Sequence, residues 1–264
     1  MFTLGINAAY HDPAACLVQD GMVIAAAEEE RFNHVKHGKR SIPFAAYELP
    51  YNAIDYCLKE AGITLKDIDH VAYSYDPFLL LPKYMHNGTI SLPLEPSAHA
   101  AVSSWESPWD PLFLSYLVNA PRQLVGGYPH YLQGRFQGTP LNGSFKWHFV
   151  QHHLAHAVSA FFPAPFEEGA VLTLDGRGEL ATTSYSKGEG NHLDFIGQVE
   201  MPHSLGLLYE EVTDYLGFLR SSDEYKVMAL ASYGKPTYLH EFREMIQLGP
   251  NGSYTIHPVN LVEK

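Results

Sequence analysis

The dipeptide Asp20-Gly21 stands between two short apolar stretches, Ala14 to Gln19 and Met22 to Ala27, and that spacing leaves the start of the chain little choice. A two-residue turn of this kind needs positive φ, which Asp and Gly tolerate, and its twist suits two antiparallel strands. Phe2 to Asn7 reads as another strand ahead of them, so the chain opens with a three-stranded meander. The loop joining the first two strands, Ala8 to Pro13, is short and polar, and a ligand could rest there on the end of the sheet. A helix is predicted over Tyr51 to Ala61, because Ile54, Cys57, Leu58 and Ala61 recur at i, i+3, i+4 and i+7, with Gly62 placed to cap it. His70 to Tyr75 reads as a further strand, which makes the whole a mixed α/β layer.

The pattern returns in the second half. His148 to Val150 reads as a short strand and is followed by a helix to about Phe162, stopped by Pro163 and Pro165. Val171 to Asp175 and Leu180 to Ser186 read as a second hairpin, and His192 to Glu200 adds a strand. Helices are predicted over Leu207 to Tyr215 and over Asp223 to Ala231, the latter with Ser222 as N-cap. Two related α/β lobes are therefore expected, residues 1–165 and 166–264. Within the first, residues 76–146 are rich in Pro, Tyr, Trp, His and Gly and read as an insertion or a cover over a site.

Composition narrows the function classes. With 46% hydrophobic and 17% charged residues, the 264-residue chain is that of a globular protein with a sizeable core. A formal charge of -12 argues against a general nucleic-acid surface. One local basic stretch, Arg31, His34, Lys36, His37, Lys39 and Arg40, could still hold a phosphate. Glu28-Glu29-Glu30 just before it reads as a solvated strand end, with a Glu30–Arg31 ion pair fixing the loop. Cys16 and Cys57 share no metal or redox spacing and are expected as reduced core thiols. No secretory leader and no bilayer-length apolar run is read, so a cytoplasmic protein is expected.

Two runs carry the chemistry. In Gln151-His-His-Leu-Ala-His-Ala157, a helix would put His152 and His156 one turn apart on one face, where both imidazoles reach one metal ion. The zinc-protease pattern needs Glu after the first His, and His153 stands there instead. In Asp175-Gly-Arg-Gly-Glu179 a carboxylate at a strand end is flanked by Gly176 and Gly178, whose amides could face an anion while Asp175 orients a metal-bound water or magnesium. Imidazole with carboxylate suits iron, zinc or manganese alike. On the first hairpin loop, His11 could act as general base towards a hydroxyl, with Asp12 beside it.

These segments, with Leu4-Gly-Ile-Asn7, Ala27-Glu-Glu-Glu-Arg-Phe32, Lys36-His37, Ser204-Leu-Gly206 and Lys226-Val-Met228, resemble the carbamoyltransferases of the NodU and tobramycin-carbamoyltransferase family. The resemblance implies an actin-like ATPase (ASKHA) fold with ribonuclease-H-like lobes, related to the TsaD proteins. It implies that a carbamoyl group passes from carbamoyl adenylate, made from carbamoyl phosphate and ATP by a YrdC-like C-terminal domain, to a hydroxyl of a small metabolite. By the same resemblance, Fe2+ would sit on His152 and His156, with Asp175 at metal and adenylate, Lys36 at phosphate and His11 beside the acceptor. The family pattern continues past Lys264, so the chain is expected to be an N-terminal portion, inactive alone. A TsaD-like tRNA enzyme subunit and a non-catalytic metal- or nucleotide-binding scaffold are the alternatives.

Overall fold

The computed structural model describes residues 1–9, 11–38, 49–86, 89–90, 110–126 and 145–257. The chain divides into two compact units, Met1–His152 and His153–Lys264, whereas the sequence reading put the boundary at 165.

In the first unit the predicted meander is present as β1 (Phe2–Asn7), β2 (Ala14–Gln19) and β3 (Met22–Glu28). Asp20 and Gly21 take the positive φ values, 49° and 86°, that the turn requires. A short helix α1 (Glu30–Asn33) and the long α2 (Tyr51–Glu60) follow, then β4 (His70–Tyr73), α3 (Leu81–Tyr84), and the two-residue strands β5 (Met85–His86) and β6 (Thr89–Ile90). Helices α4 (Asp110–Val118) and α5 (Ala120–Gly126) lead to β7 (Lys146–Phe149). The main sheet has the order β3-β2-β1-β4-β7, with β1–β2–β3 antiparallel and β1–β4–β7 parallel, which is the strand order of a ribonuclease-H-like lobe.

Helix α2 covers this sheet with Ile54, Cys57 and Leu58, all buried against strand residues such as Leu4, Leu17 and Val71. Truncating one of these aliphatic side chains to alanine costs about 2–5 kcal/mol. At its end the amides of Gly62 and Ile63 donate to Lys59 O and Leu58 O, a cap made possible by φ +66° at Gly62. At its start the buried Glu29 carboxylate accepts from the backbone N–H groups of Asn52 and Ala53. The acidic run is therefore not a solvated strand end throughout. Glu29 caps a helix, and Arg31 pairs with Glu28 at 3.5 Å, not with Glu30.

The 76–146 stretch is likewise more than a cover, because Phe113, Leu114, Leu117, Ala120 and Leu124 of α4 and α5 belong to the same core. Cys57 is a buried free thiol whose burial pushes its pKa up to about 11, and it donates weakly to Ala15 O and Ala25 O. Cys16 is only half-buried.

The second unit repeats the meander: β8 (Glu168–Leu174), β9 (Ala181–Glu189) and β10 (His192–Glu200) form an antiparallel sheet in the order β10-β9-β8. Ahead of it lies α6 (His152–Phe161), and after it α7 (Leu205–Tyr215), α8 (Glu224–Ala231) and α9 (Leu239–Met245). A small hairpin of β11 (Ile246–Leu248) and β12 (Tyr254–Ile256) packs its Tyr254 and Ile256 with Val199, Leu208 and Met245. Ser222 is not the cap of α8. Asp223 takes that position, pairing with Lys226 at 2.8 Å and accepting the Leu219 N–H.

Among the described residues, no helix is long and apolar enough to cross a membrane.

Candidate functional site

Helix α6 begins at His152. Its three histidines have different tasks. His153 is buried, with Nδ1 3.1 Å from Ser184 Oγ on β9. Phe161, two turns on, lies where a Cβ on Gly188 would come within 2.4 Å of its ring, so only glycine in β9 allows this approach. Those two contacts lock the helix onto the sheet and leave His156 facing β8, with Nε2 3.4 Å from Asp175 Oδ2. His152, one turn earlier, has Nδ1 3.1 Å from the Ser74 carbonyl oxygen. A carbonyl only accepts, so Nδ1 carries the hydrogen, which in the neutral ring puts the lone pair on Nε2.

His152, His156 and Asp175 each offer one ligand atom, and the three atoms lie within 4.8 Å of one another. Two imidazoles and a carboxylate, one ring already oriented from behind by a backbone carbonyl, are a donor set that fits a divalent transition metal with coordination positions left open.

The Asp175 turn is held by groups to which the sequence alone assigned no role. Asp175 N donates to Thr182 O and Gly178 N to Ala181 O, closing the β8–β9 hairpin. The Ser204 hydroxyl, N-cap of α7, donates to the carbonyl of Gly176 and receives the Leu207 N–H. Gly206 follows so closely that a Cβ there would stand 2.6 Å from Asp175 O and Gly176 N. The Ser204-Leu-Gly206 run thus seats the carboxylate turn.

The amides of Gly176 and Gly178 are engaged within the turn: Gly176 N donates to Asp175 Oδ1 at 2.7 Å and Gly178 N donates to Ala181 O in the hairpin. The Glu210 carboxylate stands where a Gly176 Cβ would be 3.3 Å away, and it pairs with Arg220 at 3.6 Å. Glu179 is turned inward and only 7% exposed.

The other sequence-predicted residues gather on the first hairpin loop. Asp12 takes a positive φ of 50°, and its N–H donates to His37 O at 3.0 Å. Its two carboxylate oxygens meet His11 Nδ1 at 2.7 Å and His37 Nδ1 at 2.8 Å. Burial pushes this carboxyl up, but the hydrogen bonds from His37 and His11 outweigh it and hold its pKa below the ordinary value. Gly38 has φ +67°, and a Cβ there would come within 2.4 Å of Pro13. Lys36 is exposed on the same turn, whereas Lys39 and Arg40 lie outside the described residues.

A chain of hydrogen bonds connects this loop to His152. Asn7 Nδ2 donates to the carbonyls of His11 and Asp12, Ser74 Oγ donates to Asn7 Oδ1 at 2.6 Å, and Ser74 O accepts from His152.

A ribonuclease-H-like strand order with a His-His-Asp cluster defines a mixed α/β protein with a candidate metal centre. The chain belongs to the carbamoyltransferase N-terminus family, whose model matches residues 3–87 and 141–261 and breaks inside the stretch that the sequence set apart. It is 38% identical to the Synechocystis sp. protein sll1178 over 96% of this chain and 38% of that one. It is 36% identical to nodulation protein NolNO of Sinorhizobium fredii over 95% of this chain and 32% of that one. The chain therefore spans about a third of the length of these curated relatives. Among solved structures it is similar to YeaZ from Pseudomonas aeruginosa, at 12% identity and a TM-score of 0.35 over 75% of this chain and 64% of that one. The fold assignment rests on the strand order.

Proposed function

We propose that this chain carries the metal-binding and acceptor-activating residues of an ATP-dependent O-carbamoyltransferase. In this reading carbamoyl adenylate, made from carbamoyl phosphate and ATP by a YrdC-like domain, is the donor, and a small hydroxylated metabolite is the acceptor. The acceptor oxygen forms a new bond to the carbamoyl carbon while the carbon–oxygen bond to phosphate breaks. AMP leaves, and the hydroxyl proton passes to Nε2 of His11, whose Nδ1 is already engaged by Asp12. Lys36 supplies positive charge for the phosphate side.

His152, His156 and Asp175 would hold the cation, iron in our reading, with zinc, manganese or magnesium as competitors for the site. When bound, such an ion supplies Lewis-acid polarisation of a phosphate or carbonyl oxygen.

The observation that carries this proposal is the three-ligand cluster in a chain of a carbamoyltransferase family. A charge of -12 favours a small acceptor over tRNA. The test is transfer of labelled carbamoyl from carbamoyl phosphate, with ATP and a YrdC-like domain present, to hydroxylated acceptors. AMP release matched to carbamoylated product supports the proposal. Transfer to tRNA, or undiminished transfer by His11→Ala, would overturn it.

A further inference from the structure

Within the proposed reaction only His11 of the first loop has been given a task, yet the loop is built around its neighbour. We propose that Asp12 is the positioning residue of the acceptor site, clamping His11 and His37 by their Nδ1 atoms so that His11 presents an unprotonated Nε2. The proposal rests on the carbamoyltransferase reading for its catalytic use, but not for its geometry.

Each oxygen of the carboxylate meets one ring, at 2.7 Å for His11 and 2.8 Å for His37. An ionised carboxylate only accepts, so both rings must carry hydrogen on Nδ1. Two rings on two oxygens fix the plane of the carboxylate as well as its position. The backbone is shaped for the same end. Asp12 is held at φ 50° by its own N–H on His37 O, and Asn7 grips its carbonyl. His37 stands at φ 56°, with its N–H donating to Glu30 Oε2 at 3.0 Å.

A cation site is the competing use of this cluster, since ligand atoms of Asp12, Glu30 and His37 also lie within 4.8 Å of one another. The burial of His37 decides between them. Its Nε2 is out of water and makes no hydrogen bond. A cation on Nδ1 would force the proton onto Nε2, leaving a buried donor without an acceptor, whereas the Asp12 clamp leaves only a lone pair there. Orphaned buried donors are the rarer and costlier of the two.

The test is long-range 15N–1H NMR of the histidine rings of this chain, at a pH where the imidazoles are neutral. The expected spectra show His11 and His37 both with hydrogen on Nδ1 and a bare Nε2. Asp12→Asn tolerates the left-handed backbone, but its amide offers an oxygen to one ring only, so one ring should lose that signature. Either ring found with hydrogen on Nε2 in the unmodified chain, which needs no variant to fold, overturns the clamp. So does a saturable shift of the His37 signals on adding Mg2+ or Mn2+ alone.

In the transfer assay Asp12→Asn should lower kcat by about 100-fold with little change in KM, the size of effect expected for a misdirected general base. An unchanged kcat alongside an altered tautomer would remove Asp12 from the reaction and leave the carbamoyltransferase reading standing. Absence of transfer in the unmodified protein would sink that reading, while the spectra still decide the clamp.

Discussion

Ser74 orients His152: its carbonyl oxygen takes the Nδ1 hydrogen at 3.1 Å, while its hydroxyl holds Asn7 at 2.6 Å. One residue at the end of β4 thereby serves both the histidine that would bind a cation and the loop that carries His11. Backing of this kind sets which imidazole nitrogen is offered to a metal, and its loss typically costs 10–100-fold in affinity or activity, as an order of magnitude.

Asn7→Ala removes the link on the loop side only. It frees the carbonyls of His11 and Asp12 without touching the Ser74 carbonyl. Carbamoyl transfer should fall by about 10-fold or more, while metal content measured by elemental analysis stays at the level of the unmodified protein.

His153→Ala should behave in the opposite way. The ring is buried and bonded to Ser184, so its removal should cost stability, about 1–3 kcal/mol in chemical denaturation. Metal stoichiometry should not change in the fraction that remains folded.

Gly206→Ala tests the seat of Asp175. The added Cβ would meet backbone atoms at 2.6 Å, and backbone cannot rotate away as a side chain can. Overpacking of this kind costs about 1–3 kcal/mol. The turn carrying Asp175 should shift, and titration with a divalent ion should show weaker binding than in the unmodified chain.

How much of this was legible beforehand depends on how local each signal was. Asp20-Gly21, the α2 periodicity and the histidine spacing are local, and the meander, the helix and the shared face of His152 and His156 followed from them. Glu29 looked like part of a solvated acidic run, because nothing near it in sequence shows the start of α2 at Tyr51, whose Asn52 and Ala53 amides it accepts. The role of Gly206 depends on the approach of a turn thirty positions earlier, and that of Ser74 on a helix far along the chain. Gly-rich turns cradle anions through spare amides, and which partners Gly176 N and Gly178 N take, Asp175 Oδ1 and Ala181 O, is visible only in the folded turn.

The depressed Asp12 carboxyl makes a pH prediction whose sign follows from linkage. Its folded pKa lies below its unfolded value, so its contribution to stability is complete above the ordinary carboxylate range and is lost as pH falls through the depressed folded value. The stability difference between the unmodified chain and Asp12→Asn should therefore shrink below pH about 4, as the carboxylate protonates. Because the carboxylate is half-exposed, high salt should reduce the difference. Denaturation curves collected across that range at two salt concentrations check both.

The central claim is that His152, His156 and Asp175 together hold one divalent ion, and metal stoichiometry after anaerobic loading with Fe2+ tests it most directly. The account predicts close to one ion per chain, lost on His152→Ala or His156→Ala and much weakened by Asp175→Asn, with each variant still folded by circular dichroism. Full metal content in the folded double variant His152→Ala/His156→Ala would contradict it.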